Sequence, residues 1–274
     1  MVSAVSLAGI CLTLVLSLLL PVVILLVLVK GRKGVFGVWI AGALGFFIPQ
    51  MVIRIPILQA LGRTAGYQQF ARQDPILLIF LLALTAGLFE TTGRLVVLKF
   101  ALNRRLSYMT GLAAGAGHGG IESIMLIGMT YINNLVISLL INTGSLAVIM
   151  PGNPDMEAQV REAILGTEPT LFFLAGAERV LTMLFHIALS LILTRLIMKK
   201  QAVRGFFLVL ALHVALDFIA ALGQQQGVSI WAIEGFLLAV ALLSLLLILR
   251  IRTRFGASLF VPVDPGEQAV KEGY

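Results

Sequence analysis

About seven times along its 274 residues the chain runs through roughly 20 or more apolar residues with few charges between them. At about 1.5 Å per residue, a helix of that length crosses the roughly 30 Å hydrocarbon layer of a bilayer. Within hydrocarbon the backbone must satisfy its own hydrogen bonds, which leaves helices or a closed barrel. Barrel strands would alternate over shorter runs, so the spans are helices. The expected fold is therefore an all-α, polytopic transmembrane helical bundle. A chain that is 59% hydrophobic and 12% charged, with a mean hydropathy of +1.02, excludes a soluble globular domain.

Span 1 is expected from about Ser3 to Val29, span 2 from Val35 to Ile53, span 3 from Pro75 to Phe100 and span 4 from Tyr108 to Ile141. Span 4 is too long for one straight crossing, so a tilt, a kink or an exit near Asn133 and Asn134 is expected. A long acidic loop, Asn142 to Pro169, then leads to span 5 (Thr170 to Met198), span 6 (Gly205 to Leu222) and span 7 (Ser229 to Leu249). The expected organisation is one membrane domain, residues 1–260, with a short cytoplasmic tail over 261–274.

The net charge of +7 sits in short clusters between the apolar runs, at Lys30, Arg104, Lys199 and Arg250. That pattern reads as membrane topology, with the lipid bilayer as partner and no nucleic acid. It places the protein in the cell membrane, multi-pass, with the N-terminus outside and the C-terminus cytoplasmic, although Arg54, Arg63 and Arg72 then fall outside. Residues 3–29 are too long for a signal-peptide core and count as a mature span. Cys11 is the single cysteine, which excludes an intrachain disulfide and a cysteine-rich metal site.

Ionisable side chains inside spans are costly, and they follow a pattern. The chain has three histidines, His118, His186 and His213, and all fall within spans. His118 pairs with Glu122, His213 with Asp217 and Glu90 with Arg94, each four residues apart and so on one helix face. Glu178, Thr182 and His186 repeat the step on span 5. Counted from the basic end of each span, Glu90, His118, Glu122, His186, His213 and Asp217 lie about 9 to 14 residues in, roughly 14 to 21 Å, so they can share one layer. Arg94 and Glu178 flank that layer by one or two turns, and Glu234 is expected at the interface. Gly115, Gly117, Gly119 and Gly120 serve either close helix packing or open room beside the layer.

Imidazoles and carboxylates are zinc-ligand types, and a spare carboxylate can act as general base on water. The same groups can also activate water and hold an oxyanion without metal, so these residues leave metal dependence open. A proton- or ion-coupled transporter also places such groups at the midplane, although the chain shows no internal repeat. A non-catalytic scaffold or immunity protein is the third class, in which these pairs only fix packing.

The stretches FETTGR (Phe89 to Arg94), GHGGIES (Gly117 to Ser123), ERVLTMLFH (Glu178 to His186) and HVALDF (His213 to Phe218) resemble the YhfC family of intramembrane metalloproteases. That family is similar to the larger group of type II CAAX prenyl endopeptidases, bacterial CPBP proteins and PrsW proteases. The resemblance spans about half the chain. It implies an intramembrane endopeptidase acting on membrane-protein or peptide substrates, with a polar cavity among spans 3 to 6 opening toward the cytoplasmic half. The implied catalytic residues are Glu90, Glu122, His118, His186, His213 and Asp217. His118, Glu122, His186 and His213 are the implied ligands of zinc or another divalent metal. Many relatives carry paired glutamates where this chain has Glu90 followed by Thr91, so a second carboxylate at the site falls to Glu122.

Overall fold

The computed structural model describes residues 1–149 and 153–255. Among these, seven helices are long and apolar enough to cross a membrane: Ala4–Val29, Val35–Gly62, Pro75–Ala101, Tyr108–Thr143, Pro169–Met198, Ala202–Gln225 and Ile230–Thr253. They are spans 1 to 7, and the fold is the all-α membrane bundle that the apolar runs require. The tail expected over residues 261–274 lies outside the described residues.

Span 5 is the axis of the bundle. It packs against spans 1, 4, 6 and 7, while span 4 also packs on span 2, and span 6 on span 3. From Phe185 to Leu191 every side chain of span 5 is buried. Outward-facing positions such as Leu26, Val27, Leu243 and Leu246 are exposed and apolar, as a lipid-facing surface must be. The half of the bundle nearest the basic clusters is sealed by Val35, Val38, Leu98, Leu102, Leu193 and Val209, all buried.

Span 2 is longer than its sequence suggests. Pro49 cannot donate to the carbonyl of Gly45, and a wider π-helical stretch over Phe47–Arg54 carries the helix past it. Arg54 therefore stays in the span instead of beginning a loop, and its guanidinium bonds the Leu82 carbonyl at 2.7 Å and Thr85 at 3.1 Å. One of the three arginines that counted against the expected orientation is thus a packed residue. Span 4 is continuous through Asn133 and Asn134. Its irregularity is a π-helical stretch at Ser123–Gly128, directly after Glu122, where such bulges re-aim side chains.

The acidic segment after span 4, expected as a loop, contains a helix over Pro154–Leu165. Its start is favoured by the Asn153 cap, Pro154 and the acids Asp155 and Glu157 in the first turn, and Glu157 pairs with Arg161 at 2.8 Å. Ile164 of this helix packs with Val2, Ile141 and Leu146. Asn142 holds the backbone of Val2 at 2.6 Å, which ties the start of span 1 to the end of span 4.

The glycines of span 4 are packing residues. A Cβ built on Gly117 would lie 2.0 Å from the Trp39 carbonyl oxygen, and one on Gly115 would lie 2.7 Å from Ile187 Cα. Spans 2 and 5 thus approach span 4 so closely that a side chain there is excluded, and this pulls His118 and His186 together. Gly117→Ala should lower stability by roughly 1–3 kcal/mol, because backbone has to move. Gly37→Ala, where a Cβ meets nothing within 4 Å, is the matched control. Thermal unfolding in detergent checks both, and equal midpoints would refute this account.

Candidate active site

Glu90 on span 3 is the node of the polar cluster, and it is 4% exposed. Its Oε1 accepts a 2.5 Å hydrogen bond from Gln50 Nε2 of span 2. Its Oε2 faces three imidazoles from three other spans: His118 Nε2 at 3.1 Å, His213 Nε2 at 3.5 Å and His186 Nδ1 at 3.9 Å. The rings gather in one group, with His118 and His186 centroids 5.0 Å apart and His186 and His213 centroids 5.4 Å apart. Phe46 and Phe185 wall them edge-on.

Glu122, the second carboxylate, lies 2.6 Å from His186 Nε2 through Oε2. Arg94 sets which nitrogen His186 presents there. Its Nη2 lies 2.9 Å from His186 Nδ1 and its Nε donates to Ser190 Oγ at 3.0 Å. A guanidinium only donates, so Nδ1 is engaged as acceptor and Nε2 is left facing Glu122. Arg179 approaches Glu122 Oε1 at 3.5 Å and Glu178 at 3.6 Å, so Glu178 stays on the flank while Arg179 reaches inward. The two buried acids thus have Arg94, Arg179 and, through Gln50, Arg54 as nearby cations, which offsets the cost of holding charge in hydrocarbon.

Asp217 sits at the mouth, with its side chain 35% exposed and Oδ2 3.5 Å from His213 Nε2. It borders a cleft of about 250 Å³ shared with Arg54, Leu82, Ala86 and Ala221. This cleft opens on the half of the bundle away from the basic clusters, whereas the expected opening was on the half that carries them. The reason is packing. The apolar plug around Leu98 and Val209 closes the basic half, and the polar Arg54 and Asp217 occur on the other.

The structure brings all six candidate residues into one cluster, with His118, His186 and His213 each within 4.0 Å of a carboxylate. Four of them, Glu90, His118, Glu122 and His186, offer ligand atoms that all lie within 4.8 Å of one another, a set able to hold a metal ion. Two imidazoles and two carboxylates suit zinc and related divalent ions, and among the described residues His118 Nδ1 is buried with no hydrogen-bond partner. The residues fit a divalent metal. His213, counted from sequence among the ligands, lies outside this group, with its Nε2 3.5 Å from both Glu90 Oε2 and Asp217 Oδ2. Gln50 and Arg54, at the end of span 2, also belong to the site, Gln50 on Glu90 and Arg54 on Gln50. Their spacing of four residues is the sequence signal for this, the same step that marks the stripes on spans 3 to 6.

The model of the family described as YhfC intramembrane metalloprotease matches residues 16–237, a range that holds every residue of the cluster. The chain belongs to the YhfC family. It is also 28% identical over 259 residues to a protein of Bacillus subtilis (strain 168) named "Uncharacterized membrane protein YhfC", covering 93% of this chain and 100% of that one. No solved structure matches. As a YhfC-family member with seven apolar spans, the chain is a multi-pass membrane protein.

Gln50→Leu should cost roughly 1–3 kcal/mol, because it removes the donor to Glu90 Oε1 and leaves a buried acceptor unpaired. In a double-mutant cycle the cost should fall when Glu90 is also replaced by Leu. Thermal unfolding of the four proteins measures the coupling, and additive losses would refute it.

Proposed function

We propose that this YhfC-family protein is an intramembrane endopeptidase that hydrolyses peptide bonds of membrane-embedded or membrane-proximal substrates. The observation that carries the reading is the convergence of two buried carboxylates and three imidazoles from four spans, with Asp217 between His213 and a cleft. Glue between helices needs no such concentration of costly groups.

In this reading His118, Glu122 and His186 would hold a divalent metal, His186 through Nε2 with loss of its proton on binding, zinc by its preference for two imidazoles and a carboxylate, and Glu90 serves as general base. A metal held there would supply Lewis-acid polarisation of the scissile carbonyl and would lower the pKa of water. Glu90 Oε2 accepts the proton of the attacking water and returns it to the leaving amine as the C–N bond breaks. Gln50 fixes the Glu90 carboxylate through Oε1, so that Oε2 keeps its aim. His213, held between Glu90 and Asp217, offers its Nε2 proton to the oxygen that gains charge in the transition state. Arg94 and Ser190 position His186 without touching substrate. Substrate and water enter through the Arg54 and Asp217 cleft. With the basic clusters on the cytoplasmic side and the N-terminus outside, that entrance lies on the outer half of the bilayer.

The test pairs metal content with cleavage. The purified protein should carry about one zinc per chain, and His118→Ala and His186→Ala should lose it, since zinc needs about three protein ligands to stay bound. Glu90→Gln should keep the metal and lower cleavage of a transmembrane-peptide library, read by mass spectrometry in proteoliposomes, by about 10²- to 10⁴-fold. Undiminished cleavage by Glu90→Gln, or full metal occupancy in both histidine variants, would sink the assignment.

A further inference from the structure

At the basic end of the bundle, spans 5 and 7 form a cleft of about 400 Å³ in which Arg195, Arg250 and Arg254 converge over Ile192, Leu247 and Ile251. Among the described residues no carboxylate lies within ion-pair distance of these arginines. Among the same residues Arg195 Nη1 is buried with no hydrogen-bond partner. Three like charges gathered around one cleft repel each other, and a buried guanidinium N–H without an acceptor is costly. Both problems are solved by an anion with several oxygens.

The cleft continues into apolar surface. Ile192 and Leu247 also border a groove of about 290 Å³ between spans 5, 6 and 7, walled by Leu189, Leu216, Val240 and Leu243. One continuous surface therefore has a triply cationic end level with the basic clusters and an apolar channel running toward the bilayer centre.

We propose that this surface binds one anionic phospholipid, with its phosphate on Arg195, Arg250 and Arg254 and an acyl chain in the groove. The arginines select a phosphate, which they can grip through paired N–H donors. The apolar channel selects a lipid over a soluble phosphate, because a headgroup alone would leave it unfilled. Positive-inside topology puts the arginines in the leaflet where anionic headgroups supply the ligand. The groove ends on Phe185, whose ring lies 6.0 Å from that of His186 and 6.2 Å from that of His213. The bound chain thus backs onto the histidine cluster. The site needs neither the peptidase reading nor a metal, so its test uses no activity.

The full-length protein, delipidated in neutral detergent, is titrated with phosphatidylglycerol, phosphatidylcholine or glycerol 3-phosphate and followed by native mass spectrometry and thermal unfolding. Phosphatidylglycerol should be retained and should raise the unfolding midpoint, and the other two should not. Arg250→Gln and Arg254→Gln, at exposed positions, should each weaken retention about fivefold while leaving the lipid-free midpoint unchanged. Ala215→Trp, on the groove wall, should expel the lipid with all three arginines intact. Equal binding of phosphatidylcholine, stabilisation by glycerol 3-phosphate alone, or unaltered retention in all three variants would overturn the proposal.

Discussion

The carboxylate of Glu90, buried in the middle of a membrane bundle, is the constraint on which this structure turns. A lone carboxylate there would cost many kcal/mol, so the fold is admissible only if donors surround it. Gln50 of span 2, His118 of span 4, His186 of span 5 and His213 of span 6 all face it. No two of these neighbours come from one helix. The acid therefore acts as a register mark, because sliding any of the four spans by one turn would leave Glu90 or its partner unpaired.

Such a meeting requires backbones to come unusually close, and small residues permit it. Gly117 against the Trp39 carbonyl, and Gly93 against the Gly45 carbonyl, bring spans 2, 3 and 4 together without side chains between them. The π-helical stretches supply the remaining adjustment. One lets span 2 pass Pro49 with Gln50 and Arg54 aimed inward, and another follows Glu122 on span 4. An apolar plug closes the basic half, and on the other half Arg54 and Asp217 line a cleft.

Pairing of unlike roles follows from this arrangement. His118 and His186 lie with both carboxylates in a compact group able to hold a metal ion, while His213 lies 3.5 Å from Asp217 at the mouth. Arg94 bridges His186 and Ser190 and so fixes which ring nitrogen faces Glu122. The three histidines, alike in sequence setting, thus have different neighbours.

Much of this was written locally. Length of apolar run set the number of spans, and the four-residue steps of Glu90 with Arg94, His118 with Glu122 and His213 with Asp217 set which faces carry charge, because hydropathy and helical period act within one segment. The neighbours of each face were not written there. Lipid is as apolar as the bundle interior, so a leucine pattern does not tell the inner face of a span from the outer. Only the packed structure could place Gln50 and Arg54 beside Glu90, set His213 next to the ligand group, and turn the cleft away from the basic ends, since each depends on which helices touch and how closely.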